Sequence, residues 1–523
     1  MLVRPVVETK SGPVEGLIEE FNGIKGYSFR GIPYAADTSG NNRWRAPQDV
    51  ESWVENFDAS SFGPQCPQFR RGEGGFRDSI ANAYEIEIPE EEPPQESEDC
   101  LRLNIYSGDL APKEKLPVMF WIHGGALRFG SGDNYLPDGI LSKGKILVTI
   151  NYRLGELGFF AHPSINESEE EFKTNFGLLD QIKALHWVRE NIENFGGDPS
   201  NITIFGESAG GFSVAALLVS PLSKGLFHKA IVQSGGFSRM ALHSSDKSSN
   251  GFSAAELGSR FGEFCGIPNN YDQLKLMREL TIDKIIEAGK IGFSSSFYVD
   301  DKTILAPVMK SFEEGANHKV PTIIGTNADE GTALYWGSPL ADVAPPVNSV
   351  EKYKLVILDK FEEKAEKILS IYPASDKEEM IKSSKRLLGD SLFGAPSFFA
   401  SKFMAERSED IYFYHFNQKP SGKAGEILGS FHAYEISYVF GVGGLGIIEN
   451  QELSDIMLSY WTNFAESGNP NSEELPEWEK LLPGENKWQV LGSEVGKKDI
   501  DRIEIYDLLQ DFEFKGIYAR LIV

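Results

Sequence analysis

The chain has 523 residues, with 51 Lys+Arg against 77 Asp+Glu and a formal net charge of −26. Hydrophobic residues at 41% and charged residues at 24% lie near the globular norm, and a chain this long buries enough surface to fold without disulfide or metal staples. The acidity argues against nucleic acid as a partner, because affinity there comes from Lys and Arg neutralising phosphates, and it disfavours an anionic membrane surface for the same reason.

Residues 1–35 read as short twisted strands turning at Gly12 and Gly23. No apolar run of signal-peptide length opens the chain, and no stretch of ~18 uninterrupted apolar residues occurs anywhere. The expectation is a cytoplasmic protein, or a secreted one whose signal has been removed. The acidic, Pro-rich segment 85–99 reads as a surface loop by composition. Short apolar runs bounded by Gly, Pro or Asn then predict buried strands over 101–106, 118–122, 146–152, 202–205, 230–233, 322–325 and 411–416. Between them, Leu179, Ile182, Leu185, Val188, Ile192 and Phe195 repeat at helical spacing, and Gly196-Gly197 supplies a left-handed stop. A late helix carries Leu453, Ile456, Met457, Tyr460, Trp461 and Phe464 before Gly468-Asn469-Pro470 ends it. Strands alternating with helices imply a mainly parallel sheet covered on both faces. No repeat or linker divides the chain, so 1–523 is expected to be one α/β domain with long insertions.

Three cysteines, Cys66, Cys100 and Cys265, allow at most one intramolecular bridge. Two N-x-[ST] sequons occur, at Asn166 and Asn201, and Asn201 directly precedes an apolar strand, a poor place for a glycan. No cluster of His/Cys ligands and no phosphate-cradling loop occurs, so neither a metal nor an organic cofactor is expected.

Gly206-Glu207-Ser208-Ala209-Gly210 follows the run 202–205 and opens a helical stretch. A tight strand–turn–helix corner holds such a serine in strained backbone space with its Oγ above the sheet. The flanking glycines remove side chains that would collide with neighbouring elements. Upstream, Trp121-Ile122-His123-Gly124-Gly125-Ala126 leaves another strand. The backbone N–H groups of Gly125 and Ala126, with that of Ala209, can converge on a developing oxyanion. His123 belongs to the scaffold of that loop.

A serine nucleophile in this context expects its acid and then its histidine later in the chain. Of eight histidines, three lie far enough after Ser208, namely His318, His415 and His432. His415 sits inside an alternating strand and His318 just before one, whereas His432 lies on a loop free to reach inward. For the acid, 322–325 runs into Thr326-Asn327-Ala328-Asp329-Glu330-Gly331, and a carboxylate at that strand's end is placed to orient an imidazole. Spacing does not choose between Asp329 and Glu330.

With these residues assembled, the chain resembles the type-B carboxylesterase/cholinesterase family of α/β-hydrolases. Further ordered segments carry the likeness over nearly the whole length: Phe29-Arg30-Gly31-Ile32-Pro33-Tyr34-Ala35, Ser97 to Ile105, Asn151-Tyr152-Arg153, Gly177-Leu178-Leu179-Asp180-Gln181, Gly225-Leu226-Phe227, Gln233-Ser234-Gly235 and Asn463-Phe464-Ala465. The resemblance implies an α/β-hydrolase fold, a large, mostly parallel sheet flanked by helices with a small N-terminal antiparallel sheet. It implies Glu330 as the acid, His432 as the base, and Gly125, Ala126 and Ala209 as oxyanion donors. It also implies a disulfide between Cys66 and Cys100. Leu127 stands where the family usually has an aromatic, which implies a roomier pocket beside the ester, and Glu207 resembles a carboxylate lining the site in relatives. No Trp lies between Cys66 and Cys100, where cholinesterases hold a quaternary ammonium by cation–π contact, so choline esters are not the expected substrates. The implied activity is hydrolysis of small carboxylic esters through an acyl-enzyme. The alternatives are a non-catalytic adhesion protein on the same fold, or an amide or thioester hydrolase using the same triad.

Overall fold

The computed structural model describes residues 4–69, 76–87, 94–237, 243–245, 253–268, 273–289, 297–335, 349–442 and 447–510. In chain order the strands are β1 (Val6–Thr9), β2 (Gly12–Glu15), β3 (Leu17–Phe21), β4 (Ile24–Pro33), β5 (Phe57–Asp58), β6 (Arg102–Ser107), β7 (Leu116–Ile122), β8 (Ile146–Ile150), β9 (Gly197–Glu207), β10 (Lys229–Gln233), β11 (Thr322–Asn327), β12 (Ile411–Phe416), β13 (Lys487–Leu491) and β14 (Gly496–Asp499). Among the described residues they form an eleven-stranded sheet ordered β14-β13-β12-β11-β10-β9-β7-β8-β6-β4-β3 and a separate three-stranded sheet β1-β2-β5. From β8 through β13 neighbouring strands run parallel. The antiparallel pairs sit at the two ends. The small sheet is mixed, since β1 and β2 pair antiparallel and β5 joins parallel to β2.

Each of the seven predicted apolar runs coincides with a strand. β8, β10, β11 and β12 are buried along their whole length, as expected for strands covered on both faces. Alternation assigns the two faces. Val118, Phe120 and Ile122 of β7 enter one hydrophobic core, while Met119 and Trp121 enter the other. β13 and β14 are not anticipated from sequence. The first mixes Lys487 and Gln489 with apolar residues, and the second is a charged edge strand, Gly-Lys-Lys-Asp, of the kind that discourages edge-to-edge pairing.

The helix Phe176–Asn191 runs into a 3-10 turn, Ile192–Phe195, and Gly196 stops it at φ +87°. The late helix Gln451–Ser467 ends at Gly468, φ +79°. Among the described residues, no helix is long and apolar enough to cross a membrane.

Two expectations change. Within the acidic segment, residues 88–93 lie outside the described ones, but Glu98 is buried, bonded to Arg43 Nε at 2.7 Å and Nη2 at 2.6 Å. A pair of charges survives burial because each satisfies the other. The expected disulfide is not formed: Cys66 and Cys100 are both buried and both free. The two thiols are neighbours, and hydrogen bonding to Cys66, with burial added, pushes the Cys100 thiol well up. A thiol held protonated is a poor nucleophile for exchange. At the sequon, Asn201 donates to the Glu466 carbonyl at 3.0 Å and accepts from Lys229, so its amide is already engaged.

Candidate active site

β9 delivers Ser208 to the C-terminal edge of the sheet. Its backbone, at φ 55° and ψ −125°, occupies a region L-residues rarely adopt, and the helix Ala209–Val219 starts immediately after it. The Ser208 N–H holds the corner by donating to the Gln233 carbonyl at the end of β10, 3.0 Å away. The flanking glycines answer to close approach. A Cβ on Gly206 would stand 2.6 Å from the Ile122 carbonyl oxygen, and one on Gly210 would stand 2.0 Å from that same oxygen. Any larger residue would push the elbow off the end of β7.

The loop after β7 lies directly against this corner, since a Cβ on Gly124 would come within 3.1 Å of Ser208 Cβ. Gly125 has φ 105°, and Ala126 and Leu127 follow at φ 55° and 58°. Three successive positive φ values turn the backbone sharply beside the serine. The Gly125 carbonyl accepts from the N–H groups of Arg128 and Phe129 at 2.9 and 3.0 Å, which fixes the turn. His123 belongs to this scaffold: it stacks on Tyr152 with ring centroids 4.5 Å apart, and burial pulls its imidazole down to about 4. The Leu127 side chain is buried in the larger core, and its carbonyl accepts from the Gly155 N–H at 2.7 Å.

His432 enters from the loop between the helices Gly422–Leu428 and Glu435–Phe440. Its Nδ1 lies 2.6 Å from Glu330 Oε2. Glu330 Oε1 accepts from Ser234 Oγ at 2.6 Å and from the Asn327 N–H at 2.7 Å, so the carboxylate is held at both oxygens. Asp329 turns away, capping the loop by accepting from the Ser430 N–H at 2.9 Å, with Lys419 3.6 Å off. The other two candidate histidines lie elsewhere. His415 stacks on Trp488 at 4.0 Å with the rings within 6° of parallel, and His318 Nε2 meets the Ser220 carbonyl at 2.8 Å.

The second nitrogen, His432 Nε2, is buried without a hydrogen-bond partner, and Glu207 Oε1 approaches it to 3.1 Å. Catalytic hydrogen bonds are often long in an unliganded site and tighten around substrate. Phe393 lies 4.8 Å and Phe76 6.2 Å from the imidazole centroid. Phe212, one turn along the helix from Ser208, meets Phe393 at 6.4 Å.

Sequence reasoning missed one further buried carboxylate, Glu435. It accepts from Gln233 Nε2 at 3.2 Å and Asn327 Nδ2 at 2.6 Å. Its signal was present as a lone charge in the apolar run Ala433-Tyr434-Glu435-Ile436-Ser437-Tyr438-Val439. Three carboxylates therefore face one imidazole, and the electrostatics follow. Burial pulls His432 down, but Glu207 and Glu330 outweigh it and lift the ring to about 9. Burial pushes Glu207 well up against the pull of His432, with Glu435 and Glu330 adding to the rise. Burial and Glu330 likewise lift Glu435 to about 7. Among the described residues no group of His, Cys, Asp or Glu is placed to hold a metal ion.

Residues 3–504 match the model of the carboxylesterase family. The chain belongs to that family. It is 35% identical over 515 residues to a para-nitrobenzyl esterase of Bacillus subtilis, covering 94% of this chain and 96% of the other. It is 33% identical to a fumonisin B1 esterase of Sphingopyxis macrogoltabida, with 94% and 87% covered, and 32% identical to mouse carboxylesterase 1C, with 94% and 90% covered. A solved PNB esterase superimposes with a TM-score of 0.77 at 32% identity, covering 97% of this chain and all 100% of that one. This carboxylesterase is a carboxylic ester hydrolase of the α/β-hydrolase fold, and its family acts on small-molecule esters.

Proposed function

We propose that Ser208, His432 and Glu330 form the catalytic triad, with the backbone N–H groups of Gly125, Ala126 and Ala209 as the oxyanion hole. The observation that carries this reading is the 2.6 Å contact between His432 Nδ1 and Glu330 Oε2, on a buried imidazole whose Nε2 lies 3.1 Å from Glu207, the residue before the strained Ser208. Glu330 accepts a hydrogen bond from Nδ1–H, which leaves Nε2 as the basic nitrogen. As Ser208 Oγ attacks the ester carbonyl carbon, its proton passes to Nε2 and the carbonyl oxygen becomes an oxyanion. N–H donors fixed in advance stabilise that charge without reorganising at the moment of reaction. Collapse of the tetrahedral intermediate breaks the bond to the alcohol oxygen, which leaves with the proton from Nε2. Water then repeats the sequence on the acyl-enzyme and frees the acid.

Phe76 and Phe393 lie against the imidazole and Phe212 against Phe393, and none carries a charge, which favours uncharged acyl groups. The absence of Trp between Cys66 and Cys100 removes the usual means of holding a quaternary ammonium. The reading is tested by turnover of p-nitrophenyl acetate and butyrate in wild type and Ser208→Ala. Turnover falls by at least ~10³-fold if Ser208 is the nucleophile. An organophosphate that labels another residue, or equal rates in the two proteins, would refute it.

A further inference from the structure

The helix Lys377–Gly389 and the helix Ala395–Glu406 are joined without a break by a π-helical turn, Asp390–Gly394. Widened turns of this kind are rare overall and frequent at functional sites. The local cause is visible. Pro396 stands in the first turn of the second helix and has no N–H to give back to the ladder, and the Ala395 N–H bonds to the Asp390 carbonyl five residues earlier.

This segment touches two triad members at successive turns. A Cβ on Gly389 would stand 3.2 Å from Glu330 Cβ, and one on Gly331 would stand 1.9 Å from the Lys385 carbonyl oxygen, so the helix abuts the backbone carrying the acid. One turn on, Phe393 lies 4.8 Å from the His432 ring, tilted by 35°. The turn is anchored on its other side by Asp390, which is 2% exposed. Arg502 Nη1 reaches its Oδ1 at 2.5 Å and the Tyr372 hydroxyl donates to its Oδ2 at 2.8 Å, with Arg386 Nε at 3.8 Å. Arg502 begins the last described helix, Ile503–Leu509. Tyr506 of that helix packs where a Cβ on Gly394 would stand 2.8 Å from its hydroxyl.

We propose that the Asp390–Arg502–Tyr372 cluster is a positioning clamp for catalysis: it holds the widened turn so that Phe393 fixes the plane of the His432 imidazole. The role rests on His432 being the general base. The physical argument is geometric. Glu330 fixes only one edge of the ring, and rotation about that contact swings Nε2 away from Ser208 unless a surface blocks it. Phe393 is that surface. Its position depends on a turn followed by Pro396, which gives no N–H to the ladder, and the side-chain anchor on Asp390 supplies a further restraint. Asp390 is buried and paired, which makes the anchor rigid, and it lies in the same turn as the ring it positions.

The test is kcat and KM on p-nitrophenyl acetate for Arg502→Met, Arg502→Lys, Phe393→Leu and the double variant Arg502→Met/Phe393→Leu. Each rate is normalised to active sites counted by organophosphate titration. Misplacing a reacting group by about 1 Å costs up to ~100-fold. We therefore expect kcat to fall ~10-fold in Phe393→Leu and in Arg502→Met, with KM moving less than ~2-fold. Because both act through one ring, the double variant stays within ~2-fold of the slower single one, and Arg502→Lys regains most of the rate. Wild-type kcat per titrated site in Phe393→Leu, or losses that multiply in the double variant, would overturn the clamp. Should Arg502→Met not fold, Tyr372→Phe removes one bond and keeps the ion pair. It is expected to lose ~3-fold in kcat, and an unchanged kcat in both Tyr372→Phe and Phe393→Leu overturns the proposal. A Ser208→Ala control that kept its turnover would overturn the triad and the clamp together. A dead control beside fully active clamp variants overturns the clamp alone.

Discussion

Replacing Glu207 by Gln tests the electrostatics of the site most directly. The substitution keeps the shape of the side chain and removes a carboxylate whose Oε1 lies 3.1 Å from His432 Nε2. At that distance Coulomb's law gives about 1.3 kcal/mol in bulk water and about 5 kcal/mol at an effective dielectric of ~20. At 1.36 kcal/mol per pH unit this spans about one to four units. The net rise of His432, from 6.5 to about 9, is opposed by burial and comes first from Glu207 and then from Glu330. The base must be neutral to accept the Ser208 proton. The acid limb of kcat/KM therefore marks its ionisation and lies above the ordinary histidine value in wild type. In Glu207→Gln the limb moves toward lower pH by at least ~1 unit. The assay is kcat/KM against pH on p-nitrophenyl acetate, with each enzyme normalised to its own alkaline plateau. A limb that stays put, or moves upward, would refute the argument that Glu207 raises the base. The same ionisation links to stability. A group raised from 6.5 to about 9 contributes stability fully present below the unfolded value and lost as pH rises through about 9. Glu207→Gln narrows that window from its alkaline side.

Glu330→Gln leaves the shape of the acid and removes its charge, and kcat is expected to fall ~10³–10⁴-fold with KM little changed. Asp329→Asn should stay within ~3-fold of wild type, since Asp329 accepts from the Ser430 N–H and does not meet His432; steady-state kinetics of the two variants side by side check this. Ser208→Gly abolishes turnover yet should raise stability by roughly 1–3 kcal/mol, because glycine relieves the strain at φ 55°. Denaturant unfolding that finds no gain would show that the elbow stores no strain. Thiol titration of the denatured chain under non-reducing conditions should find all three cysteines reactive, given that Cys66, Cys100 and Cys265 are free. A single reactive thiol would mean that the Cys66–Cys100 bridge forms in solution.

Much of the architecture was legible because the parallel strands are buried on both faces and appear as short unbroken apolar runs. β10, β11 and β12 differ from their predicted spans by two residues at most. What escaped were elements without that signature. β14 is three charged residues and a glycine, held in place by antiparallel pairing with β13. The three-stranded sheet gains β5 from a pair of residues far along the chain. By its charge the segment 85–99 reads as a surface loop. Glu98 is nonetheless buried, because Arg43 comes from elsewhere in the chain to meet it, and composition carries no information about a distant partner.

The site divides along the same line. The residues around Ser208 and the Gly124-Gly125 turn are local devices: glycines where the backbone closes within van der Waals distance, and a serine between a strand and a helix. Such short-range steric demands are written in consecutive residues, so the sequence by itself determined the elbow and the loop beside it. Which carboxylate meets His432, and what surrounds that ring, depends on elements that lie well apart in the chain, Glu330 being 102 residues before the histidine. Only the tertiary structure brought Glu330 to Nδ1, turned Asp329 aside, and placed Glu207, Glu435 and Phe393 around one buried imidazole. The reason is physical. A charge or a ring acquires its chemistry from desolvation and from neighbours within a few ångströms, and both are properties of packing rather than of order along the chain.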